Sequence, residues 1–395
     1  MKTRVTSPFG LRPLAMGLMA AGTLALAGCS TISDTMNSMN PFASSAPKLT
    51  PLEPIKATAD VHTRWSAAAG KAGNYTFNPA VVDSSVYIAG NDGTIARVDD
   101  GASVWRISAG QALSAGVGSD GKIVAVGTPK GEVLAFSAAD GKPLWQARVS
   151  SEVLAAPAVS SDGIAVRSGD NRVFLFDAAG QRKWTYQRAT PPLSLRSTAS
   201  PVFSDKYVFV GFPGGKLVAL DLKNGAPIWE GTVALPKGAT ELDRVSDIVS
   251  VPVIDGRQVC AVAFQGRVAC FDLGQGGQLL WARDFSSAAG LTIDGRYLFL
   301  TDEKGAVHAL DRTTGASVWK QDKLVNRRVS GPVVKRGLVL VGDGQGVLHF
   351  LAREDGAFAA RAQTDGTPVV APPQTIGSAF LVQTSGGTVM AMDAQ

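Results

Sequence analysis

The side chains best equipped for chemistry are few and scattered. His62, His308 and His349 are spread over the chain, and the last two sit inside apolar, strand-like runs that suit a structural imidazole. No Ser, His and Asp fall in a nucleophile-and-base pattern, and no His, Cys, Asp or Glu group has metal-ligand spacing. Asn91-Asp92-Gly93, Asp294-Gly295 and Asp343-Gly344 read as turns, because none carries Ca²⁺ ligands across twelve residues. What remains is thiol chemistry at Cys29, Cys260 and Cys270, together with charge-assisted hydrogen bonding by Arg196, Asp243, Arg244 and Asp247. Such groups recognise a partner and do not turn over a substrate. The expectation is a non-enzymatic protein with no catalytic residue, no metal and no cofactor.

The elements that must position these groups repeat. Ala306 to Trp319 reads as a short apolar strand, an Asp-to-Gly turn and a second strand with Trp four residues after the Gly. The same phrase recurs at Gly101/Trp105, Gly141/Trp145, Gly180/Trp184, Gly225/Trp229 and Gly277/Trp281. Together with Trp65 and Trp319, these are all the tryptophans, and their period near 40 is that of a β-propeller. The Trp is lost after Asp355-Gly356, where Ala360 stands in its place and Phe358 is a candidate to fill the gap. The repeated indole is expected to pack between neighbouring units.

Three-strand sets begin near Pro79, Gly116, Pro157, Pro201, Pro252, Leu291, Pro332 and Pro372, and the last set ends at Asp393 with no chain left for a fourth strand. The segment around Trp65 has no inner strands of its own. The fold expected is therefore all-β, an eight-bladed β-propeller of four-stranded blades over residues 57–395, closed by the N-terminal strand completing the C-terminal blade. Closure leaves only short, protected edges.

Residues 1–28 read as a secretory signal, with Lys2, Arg4 and Arg12 ahead of an apolar run from Leu14 to Leu26 that is too short to span a bilayer. Leu26-Ala27-Gly28-Cys29 resembles the lipobox of bacterial lipoproteins, which implies acylation of Cys29, and Ser30 after it favours the outer membrane. Residues 29–56, rich in Ser, Thr, Asn, Met and Pro, are expected to be a flexible tether reaching about 30 Å. Removing the three basic residues of the leader takes the formal charge from +5 to +2. That is no footprint for nucleic acid.

Cys260 and Cys270 flank a hairpin centred near Gln265-Gly266. A three-residue loop would set them opposite each other, whereas a two-residue loop would turn them to opposite faces. A disulfide and two buried thiols both remain open.

Function is best read where the repeat breaks. Trp184 to Pro201 spans 17 residues and Trp229 to Pro252 spans 23, whereas the other equivalent connections are 14 or shorter. Both insertions run from an outermost strand to the next innermost strand, so they should lie side by side on one face. The first carries Leu193-Ser194-Leu195-Arg196 and the second Thr240-Glu241-Leu242-Asp243-Arg244-Val245-Ser246-Asp247. An apolar pair rimmed by Arg and Asp has the composition of a protein-binding patch.

Lipobox, proline-rich tether, Trp-bearing repeats and these two segments together resemble the BamB family, the propeller lipoproteins of the outer-membrane β-barrel assembly machinery. The resemblance covers essentially the whole chain. It implies a scaffold that is lipid-anchored in the outer membrane and faces the periplasm, binds the periplasmic domains of BamA, and helps deliver unfolded outer-membrane proteins. Carried over, Leu193, Leu195, Arg196 and Asp247 are contact residues, with Asp243 and Arg244 beside them. The family often has a second acid where this chain has Val249, and the Cys260/Cys270 pair is not a family hallmark. The repeats also resemble those of pyrroloquinoline-quinone dehydrogenases, but the Ca²⁺ ligands, the general base and the long insertions of those enzymes are not apparent. A periplasmic glycan- or peptide-binding propeller is a further alternative.

Overall fold

Eight four-stranded antiparallel sheets are arranged as blades of one ring. A computed structural model describes residues 49–395. The expected leader, Cys29 and the first part of the expected tether lie outside the described residues. In each of the first seven blades the strands follow chain order from the axis outward, as in Leu291–Asp294, Tyr297–Thr301, Val307–Asp311 and Ser317–Gln321 of the sixth. The eighth joins Gln374–Ile376, Ala379–Gln383 and Thr388–Ala394 to Val61–Ala68 from the other end of the chain. The ring closes as the strand count requires.

Alternate residues of each middle strand feed the two neighbouring junctions. Leu298 and Leu300 pack toward the fifth blade, and Tyr297 and Phe299 toward the seventh. Strands buried on both faces read as near-continuous apolar runs, which explains sequences such as Tyr297-Leu298-Phe299-Leu300. One apolar cluster fills each of the eight junctions.

The indoles bolt the ring together. Trp105, Trp145, Trp184, Trp229, Trp281 and Trp319 each donate Nε1–H to a carbonyl in the turn of the next blade, at 2.8–3.2 Å. The turn Gly lies directly under the ring: a Cβ on Gly315 would stand 2.5 Å from Trp281, and one on Gly101 would stand 2.6 Å from Trp65. These glycines also have positive φ, so both backbone and packing demand Gly. In every blade the residue before the Trp position is a β-bulge, as between Ala309 and Leu310 opposite Ser317 and Trp319.

That bulge decides what replaces the missing Trp. Ala360 pairs with Phe350 and Phe358 with Leu351, with one extra residue between, so Phe358 and Ala360 do not share a face. Phe358 packs with Trp319 at the preceding junction and does not fill the gap. The chain entering the eighth blade fills it instead. Ala59 and Val61 pack against the Phe350, Ala359 and Ala360 cluster, and the amides of Thr58 and Ala59 donate to the Ala359 carbonyl at 2.8 and 3.1 Å. The eighth blade has no Asp-to-Gly turn to receive an indole, since chain ends meet there through reciprocal bonds of Asp60 and Gln395.

The last residues of the expected tether lie on the body. Thr50 Oγ1 donates to the Val325 carbonyl at 2.5 Å, Leu52 joins the junction of the sixth and seventh blades, and Lys323 pairs with Glu53 at 2.6 Å. Arg327, buried, donates to the Thr50 carbonyl at 2.8 Å and to the Asp343 carboxylate at 2.7 Å, and Asp343 also meets His349 Nε2 at 3.0 Å. Although burial opposes ionisation of Asp343, its bonds from His349, two backbone amides and Arg327 bring its pKa down to about 2. Burial pushes the His349 imidazole below its usual value. His308 has the same placement against Asp302, at 2.9 Å. These histidines hold turns.

Candidate partner-binding loops

The first inserted loop follows Arg182–Tyr186 of the third blade, and the second follows Pro227–Thr232 of the fourth. They meet over Asp247. This carboxylate is 1% exposed, accepts the Leu195 amide at 2.7 Å and accepts the Gly214 amide at 3.0 Å. Its own carbonyl accepts the Phe264 amide of the fifth blade at 2.9 Å. An Asp expected to face a partner is thus an internal strut, because two separate segments leave unpaired amides pointing at one place and an anion satisfies both.

Arg167, at the end of Gly163–Arg167, balances it from below. Its guanidinium is 2% exposed, donates to Ser197 Oγ at 2.8 Å and to Asn171 Oδ1 at 2.7 Å, and lies over the Phe212 ring. Burial lowers its pKa to about 10, against the attraction of Asp247. A buried charge of each sign therefore fixes the first loop, one on either side of Arg196. Arg196 itself points outward and pairs with Glu152 of the preceding connection at 2.7 Å.

Asp243 and Arg244 are committed within the second loop. Thr240 donates its amide and hydroxyl to the Asp243 carboxylate at 3.1 and 2.7 Å, which draws that carboxyl below its usual pKa. Arg244 donates to the Gly238 carbonyl and to Glu241, both at 3.1 Å. The loop so braced presents Leu242 at 71% exposure, while the first loop presents Leu193 at 44% with Leu195 half-buried beneath. Leu242 and Arg167 were not singled out from sequence. The signal for Leu242 was present, a lone Leu in a polar loop like Leu193, whereas Arg167 gives none. Val249, at the position often acidic in the resembled family, is buried and lines the axial cavity.

Cys260 and Cys270 are direct cross-strand partners, 4.1 Å apart at Cα and joined by a disulfide. The hairpin takes the three-residue loop Phe264–Gly266, with Gln265 at φ 47°.

The family model described as outer membrane protein assembly factor BamB matches residues 63–321. The chain belongs to the BamB family. The BamB of Bordetella pertussis is 43% identical over 95% of this chain and 96% of its own, and that of Escherichia coli is 31% identical over 87% and 91%. The crystal structure of BamB from Moraxella catarrhalis superposes with a TM-score of 0.79 at 27% identity, covering 85% of this chain and all of that one. The quinohemoprotein alcohol dehydrogenase of Comamonas testosteroni shares the fold, with a TM-score of 0.68 at 14% identity over 84% of this chain and 76% of its own.

The residues here do not repeat the chemistry of a quinone enzyme. An axial cavity of about 570 Å³ is lined by Thr76, Asn78, Thr198, Ser250, Thr292 and Gln374 among aliphatic and backbone groups, and no lining side chain is charged. It offers no carboxylate to ligate Ca²⁺ or act as a base. The lining does not fit a quinone site of that kind.

Proposed function

We propose that this chain is a non-enzymatic scaffold of outer-membrane protein assembly, held to the outer membrane through an acylated Cys29 and facing the periplasm. The paired loops bind the periplasmic domains of BamA, and the complex aids delivery of unfolded outer-membrane proteins. The observation that carries this reading is the exposure of Leu193 and Leu242 on loops fixed by the buried charges Arg167 and Asp247. A rigid apolar tip binds without a large ordering cost, which is how a small patch becomes a hot spot. In this arrangement Leu193 and Leu242 supply apolar burial, Arg196 orients the partner, and Asp247, Asp243 and Arg244 position the loops.

The test is purification of the tagged full-length chain from outer membranes. BamA should co-purify, Cys29→Ala should release the chain from the membrane fraction, and cells lacking the chain should hold less folded barrel protein. Absence of BamA from the purified material, with barrel levels unchanged, would overturn the reading.

A further inference from the structure

Beside the first loop lies a basic cleft. Arg148, Arg172 and Arg182 line one cavity of about 440 Å³ between the second and third blades, with Phe174, Thr185 and Gln187. Arg148 ends the strand Pro143–Arg148, Arg182 begins the strand Arg182–Tyr186, and Arg172 sits in the hairpin before Val173–Phe176. Phe174 pairs with Thr185 across these strands, so the ring and the hydroxyl floor the same stretch that the guanidiniums rim.

The charge of the cleft is poorly compensated. Among the described residues no carboxylate lies within ion-pair distance of Arg148 or Arg182. Arg172 has only Asp170, at 3.5 Å, and that carboxylate also takes the Ser150 and Ser168 hydroxyls. Glu132 stands opposite Arg148 in the strand register but accepts from Gln146 at 3.0 Å. Three guanidiniums on one cleft repel one another, and a site built this way is relieved by anions.

The cleft is continuous with the loops described above. Ser150 leads within two residues to Glu152, the partner of Arg196, and Gln187 leads directly into the loop of Leu193. We infer that the cleft is the electrostatic half of the same interface: an acidic segment of the protein partner seated on Leu193 and Leu242 places its carboxylates among Arg148, Arg172 and Arg182. This rests on the scaffold reading. Continuity with the loops favours a protein over a membrane surface, and fork-shaped guanidiniums suit carboxylates bound in pairs. Attraction of this kind speeds encounter and fixes register.

The experiment uses the full-length chain in its own outer membrane, with a photoreactive benzophenone residue at Thr185, and separately the purified full-length chain with Arg148→Ser, Arg172→Ser and Arg182→Ser combined. The benzophenone should cross-link to an Asp- and Glu-rich segment of the partner. The triple variant should bind the partner's periplasmic domains about 10- to 100-fold more weakly at 0.1 M salt and with a flatter salt dependence. Its melting temperature should stay near the parent's, since Arg148 and Arg182 are exposed and Arg172 is partly so. Adducts with lipid alone would assign the cleft to membrane phosphates and overturn the proposal, as would triple-variant binding equal to the parent's. Failure of the parent to bind at all would overturn the scaffold reading and this proposal together, whereas parent binding that is lost with Leu193→Ala but not with the Arg substitutions would overturn only this one.

Discussion

The Leu195 amide donates to the Asp247 carboxylate at 2.7 Å, across 52 residues of chain and between the connections of two different blades. One inserted loop thus holds up the other. The same carboxylate accepts the Gly214 amide, and the nearby Arg167 guanidinium donates to the Ser197 hydroxyl, so the apolar tip at Leu193 stands on a buried ionic frame.

Asp247→Ala removes an acceptor from two amides and leaves the buried Arg167 charge with less compensation. The expected loss is about 3 kcal/mol of stability, together with weakened partner binding. Leu193→Ala, at an exposed site, should leave stability within about 0.5 kcal/mol of the parent and reduce binding alone. Chemical denaturation of both variants beside a binding assay separates positioning from contact.

The indole and glycine pairing predicts an unequal response of two glycines. Gly315 and Gly337 have φ of 70° and 75°, but a Cβ on Gly315 meets Trp281, whereas one on Gly337 meets nothing within 4 Å. Gly337→Ala should cost about 1 kcal/mol from backbone strain. Gly315→Ala should cost about 3 kcal/mol, because the indole must move as well. Thermal melts of the two variants test the difference.

Acid stability should show two windows. The His349 pKa is lowered on folding, so the unfolded chain takes up a proton first, and stability present above about pH 6.5 falls as pH drops through that value. Asp343 titrates near 2 instead of 3.8, so its contribution is lost only between about pH 4 and pH 2. His349→Gln should flatten the upper window and, by taking away the imidazole bond that helps hold Asp343 down, shift the lower one toward higher pH. Arg327→Gln should shift the lower window and largely leave the upper one. Denaturation midpoints measured from pH 8 to pH 2 would show this, and an unchanged upper profile in His349→Gln would remove His349 as the cause.

The disulfide closes a short loop, with Cys260 and Cys270 ten residues apart. Reduction should lower stability by about 2–3 kcal/mol on the loop-entropy account, with the propeller otherwise intact. Melting with and without a reductant that enters the fold, monitored by mass labelling of the two thiols, gives the value.

The propeller was legible because one phrase repeats: Gly for the turn, Trp four residues on, and apolar strands between. The closing strand followed from counting strands at both ends of the chain. The role of Phe358 was misjudged because a bulge at the residue before each Trp position shifts the side-chain alternation by one, and no residue type marks that bulge. The site was half legible. The unusual lengths of two connections located it, and the lone leucines marked its apolar part. Asp247 in a polar loop gives no sign of burial, since the amides it satisfies come from distant segments. Arg167 ends an apolar strand and gives no sign of what lies above it. The docking of Thr50, Leu52 and Glu53 was hidden because a Pro-rich stretch has no periodicity to show a buried face.

Leu193, Leu195 and Arg196, held by Asp247, are proposed to form the surface that binds the periplasmic domains of BamA. The most direct test is the affinity of the purified full-length chain for those domains, compared with a Leu193→Ala/Leu195→Ala/Arg196→Ala variant shown by circular dichroism and melting to be folded. The folded variant should lose affinity at least about 30-fold, about 2 kcal/mol. Equal affinity in parent and variant would contradict it.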